Sequence, residues 1–413
     1  MPKDPVKWLY PGMRIKRWLL ISLLGVVVVG GGSLFTSQPY KFISTLGVIW
    51  ILCGIILIVM GMSKLVVSLL TIFLPEGEKD LINILYQKRY LERGPKIVTI
   101  GGGHGLSHLI FGLKEYSSNI TAIVTVADSG GSSGRLREEF NIVAPGDIRN
   151  CLVALADAPA LMGELFQFRF SEDSELKGHN FGNLFLTVMV QLTGGDFERA
   201  VKETSKVLAI RGKVIPATVV NVHLVAEHAD GSITEGEAHI PHKKSPIKRL
   251  SLTPQRVAPT QDAIKAIQEA DIIILGPGSL YTSVIPNLLI DGMVDAIEKS
   301  QAFKIYICNV MTQHGETDGY SASDHLKALV DHSSKGTVDA VLINNMQAPK
   351  DALSRYENEN SFPVKADEDI IREMGYKVVA TDLLGVTDYV RHDSKKLNYE
   401  LINLIESHRI IKR

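Results

Sequence analysis

The chain is poor in cysteine, carries almost no net charge, and lacks an acidic residue at the place where a dinucleotide fold usually binds ribose. Its three cysteines, Cys53, Cys151 and Cys308, lie far apart with no Cys-x-x-Cys spacing. That argues against a disulfide framework or a zinc site and fits a reducing compartment. Lysine and arginine together number 44, against 45 acidic side chains. Such a balance makes no global field for nucleic acid, so no nucleic-acid partner is expected, although local basic pockets stay open. Internal repeats and low-complexity tracts are missing too. The length, 413 residues, suits a domain of roughly 300 residues with an extension.

Charge is also absent from two long amino-terminal runs. Residues 18–35 are apolar apart from Ser22 and Ser33, and residues 42–62 form a second uncharged run. A run of roughly 20 such residues crosses a bilayer. The break between them, residues 36–41, is too short to hold a domain. The pattern predicts a two-helix transmembrane hairpin over residues 1–75, each helix satisfying its own backbone in lipid. Lys3, Lys7, Arg14, Lys16 and Arg17 precede the first run and Lys64 follows the second, whereas the loop holds Lys41 alone. The positive-inside rule then puts both ends, and the main domain, in the cytoplasm of a two-pass membrane protein. A cleaved signal peptide would need a small-residue site after the first run, and a soluble hairpin would need a polar face that neither run has. Gly30-Gly31-Gly32, Gly54 and Gly61 let the helices approach closely. Residues 65–74 read as an interfacial continuation. Residues 76–94 form a linker with a short helix at 81–90, and residues 95–413 an α/β domain.

What is present in that domain is glycine at strand ends. The strand-like runs 97–100 and 120–126 each finish in a glycine-rich turn, Gly101-Gly102-Gly103-His104-Gly105 and then Asp128-Ser129-Gly130-Gly131-Ser132-Ser133-Gly134. Leu106, Leu109, Ile110 and Leu113 follow the first turn at helical spacing. Glycines admit an anion to the backbone, and a helix N-terminus points N–H groups at it. A third turn, Gly276-Pro277-Gly278-Ser279, follows the strand 272–275 and offers another anion or sugar contact. Strands at 304–308, 340–345 and 377–380 complete the expectation of a Rossmann-like, mostly parallel sheet with flanking helices. A hairpin is expected around Asp230-Gly231, followed by a basic loop over 242–249.

Several polar residues carry two readings. Asp128 either satisfies nearby N–H groups in its turn or, at a strand's carboxyl end, holds a ligand hydroxyl or a phosphate-bound Mg²⁺. Arg135 and Arg137 suit phosphate or simple surface pairing. Asp147 reads as the N-cap of a helix 148–156, with Arg149 and Asn150 able to face a ligand. His179, Asn180 and Asn183 open an apolar helix; the asparagines cap it or contact a ligand, and Asn183 needs a partner. Asp393 reads as the cap of the last helix.

Seven ordered segments, GGGHGLS, VTVADSGGSSGRLR, PGDIRNCLVALAD, GHNFGNL, GPGSLYTSVIPNLL, NVMTQHGETDGYSASDH and VRHD, resemble the YvcK/CofD-like family of gluconeogenesis factors. The resemblance runs from about residue 95 to the C-terminus, with the hairpin outside it. It implies a nucleotide pocket. Members of the YvcK type bind UDP-sugars, notably UDP-N-acetylglucosamine, and support cell shape and cell-wall synthesis during gluconeogenic growth, with no established catalysis. Proteins of cell-wall synthesis or morphogenesis and a second copy of the chain are the partners compatible with that role. The CofD branch is a 2-phospholactate transferase that uses Mg²⁺ and a nucleotide-activated substrate, and it is the alternative here. Carried over by position, Gly101, Gly102, Gly103 and His104, Asp128, Asn180 and Asn183, and Gly278 and Ser279 fall in pocket motifs. Tyr356 and Arg391 fall at tail positions that the YvcK branch uses for the nucleotide sugar. His104 stands where the family usually has threonine. Ser129 replaces the second of two aspartates, which weakens a two-acid metal site around Asp128. An NAD-dependent oxidoreductase lacks support, since neither the ribose-binding acid nor an acid to handle hydride transfer is evident.

Overall fold

The structure, a computed structural model, describes residues 15–70, 89–157, 160–171, 174–349, 353, 360–386 and 390–412. The chain divides into two units, Met1–Leu85 and Tyr86–Arg413.

In the first unit two apolar helices, Ile15–Thr36 and Lys41–Leu70, pair antiparallel. Neither has a polar face, and both are long and apolar enough to cross a membrane. Close approach requires glycine at the seam. A Cβ added to Gly25 would stand 2.8 Å from the Gly54 carbonyl oxygen, and one on Gly32 would stand 2.8 Å from that of Gly47. The second helix continues unbroken through Lys64 to Leu70. The described part of 65–74 is therefore a continuation of that helix. Of the linker helix expected at 81–90, only the last residues are described, and they are helical.

The second unit contains twelve described strands. They are β1 (Ile97–Gly101), β2 (Ile120–Val124), β3 (Lys213–Pro216), β4 (His223–His228), β5 (Ile233–Glu235), β6 (Ile247–Thr253), β7 (Ile272–Leu275), β8 (Phe303–Ile307), β9 (Ala340–Asn344), β10 (Lys377–Thr381), β11 (Leu384–Val386) and β12 (Val390–His392). Seven make one sheet in the order β10-β9-β8-β7-β1-β2-β3, every pair parallel. Parallel strands need helical crossovers that cover both faces, which is why β1, β7 and β8 are buried at every residue. In register, Ile97 lies between Ile120 and Ile272. The helices Gly103–Leu113, Gly146–Leu155 and Ser394–Lys412 pack together, the first touching both others. One continuous core runs through sheet and helices.

The chain enters at β1, moves to β2 and β3, then crosses back to β7 on the other side of β1. This reversal leaves a crevice beyond the carboxyl ends of β1 and β7, where open α/β sheets bind ligands.

Three local expectations are corrected. The second glycine turn is shorter than its sequence suggests, because a helix already starts at Gly131 and runs to Phe140. Its serines lie on that helix. Lys248 and Arg249, read as part of a basic loop, lie in β6, which pairs with β4 in a three-stranded antiparallel sheet. Both side chains are exposed while Ile247 and Leu250 are buried, because the pairing with β4 shifts register here, between Glu227 and His228. The hairpin at Asp230-Gly231 forms, but its second arm is only β5, after which Glu237–His242 turns as a 3₁₀ helix.

Candidate functional site

A cleft of about 840 Å³ opens at the reversal point. Gly103, His104 and Gly105 line it from the end of β1, Gly278 and Ser279 from the end of β7, and Asn309 to His314 from the end of β8. Its volume is that of a small-molecule site. A second cavity, about 330 Å³, lies at the opposite end of β1–β3 around Lys96, Asn119 and Glu269. That is the amino end of a parallel sheet, where no helix N-terminus points at a ligand.

The first turn explains itself residue by residue. Gly103 has φ +67°, a conformation that disfavours side chains. A Cβ on Gly102 would lie 2.4 Å from Asp147 Oδ2, so Gly102 makes room for that carboxylate. Gly105 faces the third turn, and an added Cβ would sit 2.8 Å from the Pro277 carbonyl oxygen. Gly101 stays behind as the end of β1.

The cleft is electrically divided. His104, His108 and Arg391 line one part. The His104 imidazole is held below its ordinary pKa by desolvation among the walls, then by Arg149, His108, Arg391 and Arg169. His104 lies in the first turn of Gly103–Leu113, whose dipole also favours an anion. Arg391 stands on β12, paired opposite Gly385. Its neighbour His392 is kept neutral by burial, with a pKa lowered to about 4, and donates through Nε2 to the Cys308 carbonyl at 3.2 Å.

The other part is acidic, lined by Asp128, Asp147, Glu237 and Glu316. Asp128 keeps both of its readings. Its Oδ1 accepts the Gly130 N–H at 2.8 Å, and it also lines the cleft. Asp147 is not the N-cap expected. Pro145 holds that position, and Asp147 lies inside the first turn, accepting the Gly103 N–H. Burial raises its pKa to about 7, with the Asp128 and Glu237 charges adding and Arg149 opposing. Burial, then Asp128, also raises Glu237. Ser129, in place of an acid, anchors the 3₁₀ helix: its Oγ accepts the Ala238 N–H at 3.0 Å, and its backbone N–H reaches Glu237. Glu237 thus brings a carboxylate back to the neighbourhood where the sequence had lost one.

The remaining expected residues fall elsewhere. Asn180 caps the helix Phe181–Leu192 through the Asn183 N–H. Asn183 accepts from Arg149 Nη1 at 3.0 Å and donates to Ser132 and Ser133. Both asparagines are buried among protein partners behind the cleft wall. Arg135 donates to the Lys177 carbonyl, and buried Arg137 to Asn221 and the Val222 carbonyl. Arg137 is thus a buried structural residue, and among the described residues neither arginine forms a surface ion pair. Tyr356 lies outside the described residues. Asp393 does cap the last helix, accepting from Lys395 and Lys396.

For a cation, the oxygens of Asp128, Asp147 and Glu237 are of the kind Mg²⁺ prefers. Among the described residues, however, no three His, Cys, Asp or Glu side chains are grouped to hold one. The site suits Mg²⁺ only as a partner of phosphate, with Asp128 and Asp147 the residues that would hold it.

Comparison with known proteins identifies the family. Residues 97–384 match the family described as 2-phospho-L-lactate transferase CofD. The gluconeogenesis factor of Bacillus subtilis is 49% identical over 313 residues, 76% of this chain and 98% of its own. A relative from Nostoc sp. is 48% identical over 413 residues, covering 95% of this chain and 90% of its own. That coverage reaches into the hairpin, so the shared region extends further than the motifs suggest. A crystal structure of a UPF0052 family member from Bacillus halodurans has a TM-score of 0.73 and 47% identity, over 75% of this chain and 99% of that one. On profile, sequence and fold together, the chain belongs to the CofD/YvcK family, among the proteins named gluconeogenesis factors.

Proposed function

We propose that the cleft binds a nucleotide sugar of the UDP-N-acetylglucosamine kind, and that the chain is a membrane-tethered regulator of cell-wall synthesis and cell shape in gluconeogenic growth. One observation carries the ligand reading. A helix N-terminus, His104, His108 and Arg391 meet at the sheet's reversal point in a cleft of nucleotide-sugar size. Arg391 and the N–H donors of the helix start suit the diphosphate. The carboxylates in the same cleft suit hydroxyls of ribose and sugar. Titrating the full-length protein in detergent with UDP-N-acetylglucosamine by calorimetry is expected to give saturable heat, weakened by Arg391→Ala. Absence of heat at millimolar ligand would overturn the reading.

The hairpin would place the α/β unit in the cytoplasm. Ser37 lies in the turn between the helices. Ser37→Cys is expected to react with a membrane-impermeant maleimide on intact cells. Labelling only after permeabilisation would sink this topology.

A second reading, a CofD-like transferase, draws on the family's description and on the carboxylates beside the anion region. Mg²⁺ held at Asp128 and Asp147 would supply charge neutralisation at phosphate, while Glu237, its pKa raised by burial, could take a proton from an attacking hydroxyl. Mass spectrometry of a reaction with a nucleotide-activated phospholactate, Mg²⁺ and a deazaflavin acceptor would detect the product; none would remove this reading.

A further inference from the structure

Two oxygen atoms in the cleft wall are buried without a hydrogen-bond partner among the described residues: Gln313 Oε1 and Glu316 Oε2. Both residues line the cleft. Buried polar atoms are normally paired, so two orphans three residues apart mark a place where a ligand supplies the partners. The turn that carries them is rigid. Gln313 donates from its side-chain amide to Ser279 Oγ at 2.7 Å and from its backbone to Thr317 Oγ1 at 2.9 Å. The Glu316 N–H closes the turn on the Gln313 carbonyl at 3.1 Å. Gly315, at φ +79°, passes so near Pro241 that an added Cβ would lie 2.0 Å from its carbonyl oxygen. Glu316 Oε1 accepts from Thr282 Oγ1 at 3.3 Å, and Oε2 has no such partner.

The two groups are chemically complementary. An amide oxygen accepts. A carboxyl group held in its acid form donates, and this one is only 6% exposed. Burial raises its pKa to about 7, and the Glu237 charge adds to this. The groups facing it are Glu237 from the 3₁₀ helix and Tyr281 from the turn after β7, with His314 hydrogen-bonded to Asp318 at 3.0 Å on its own loop. Neither Glu237 nor Tyr281 is a cation that would draw the proton away.

Building on the nucleotide-sugar reading, we propose that Gln313 and Glu316 are the specificity pair of the cleft. Gln313 Oε1 accepts an N–H of the ligand, and protonated Glu316 donates to a ligand carbonyl. Within a UDP-N-acetylhexosamine two parts offer that chemistry, the uracil imide and the sugar acetamido group.

The test is calorimetry on the full-length protein in detergent with UDP-N-acetylglucosamine and UDP-glucose. Wild-type affinity is expected to fall by about tenfold between about pH 6 and about pH 8.5 as Glu316 loses its proton and its donor. Glu316→Gln keeps a neutral donor, so its affinity is expected to match wild type near pH 6 and to fall less than wild type as pH rises, the remaining slope belonging to Asp147. Glu316→Ala and Gln313→Ala should each weaken binding by about tenfold or more. Equal losses for both ligands assign the pair to uracil. Losses confined to UDP-N-acetylglucosamine assign it to the acetamido group. Wild-type binding that neither alanine variant changes would overturn this inference alone, as would Glu316→Gln retaining the wild-type pH profile. No binding by wild type to either ligand would overturn both this inference and the reading beneath it.

Discussion

Gly105→Ala is expected to destabilise the α/β unit by about 1–3 kcal/mol, the usual cost of forcing atoms into a packed site, and to weaken nucleotide-sugar binding well beyond tenfold. The added methyl would stand 2.8 Å from the Pro277 carbonyl oxygen, 3.0 Å from its carbon and 3.2 Å from the Gly278 nitrogen. All three are backbone atoms, so no side-chain rotation relieves the clash. The turns after β1 and β7 must separate, and they form the two sides of the cleft floor. Denaturant unfolding and calorimetry on the same sample would report both effects. Gly101→Ala is the control, since its nearest neighbour would be 3.7 Å away. Equal behaviour of the two variants would show that the turns do not need this contact.

Asp147→Asn is expected to stabilise the protein most above neutral pH, less near pH 5, and to do little below about pH 4. In the fold the Asp147 carboxyl has a pKa of about 7, against an ordinary value of 3.8. Between those values the folded state holds a proton that the unfolded state has released, so this group's contribution falls as pH rises through that window. Above pH 7 the fold carries a desolvated carboxylate beside Asp128 and Glu237. At 1.36 kcal/mol per unit this costs at most about 4 kcal/mol, and roughly 1–3 kcal/mol after relaxation. Asparagine removes the charge and can still accept the Gly103 N–H. His392, with a folded pKa of about 4, contributes in the opposite sense. Its contribution rises with pH from about 4 to its unfolded value near 6.5. The wild-type curve alone is therefore not diagnostic, whereas the difference between variant and wild type is. A thermal-melt difference independent of pH would refute the assignment.

The motif residues were legible in unequal degree. Glycines at strand ends announced the turns because few other residues tolerate the close approach at Gly102 and Gly105 or the positive φ at Gly103. Asp147 was legible only as an aspartate at a helix start, and local pattern could not separate a cap from a buried cleft acid. Asn180 and Asn183 looked equally suited to cap or ligand. The fold gave Asn183 to Arg149, Ser132 and Ser133. Glu237 was invisible. It follows a hairpin more than one hundred positions after Ser129, and only the antiparallel sheet of β4, β5 and β6 carries it back beside Asp128.

The sequence by itself determined the elements and the family. Charge-free runs dictate helices fit for a membrane, short Ile/Val runs dictate buried parallel strands, and ordered glycine motifs dictate turns, since each is a local matter of hydropathy and backbone sterics. Which polar groups share a cleft was decided only in three dimensions. Burial, missing partners and the mutual charge effects of Asp128, Asp147, Glu237 and Glu316 depend on distances between residues far apart in the chain, and strand order alone sets those distances.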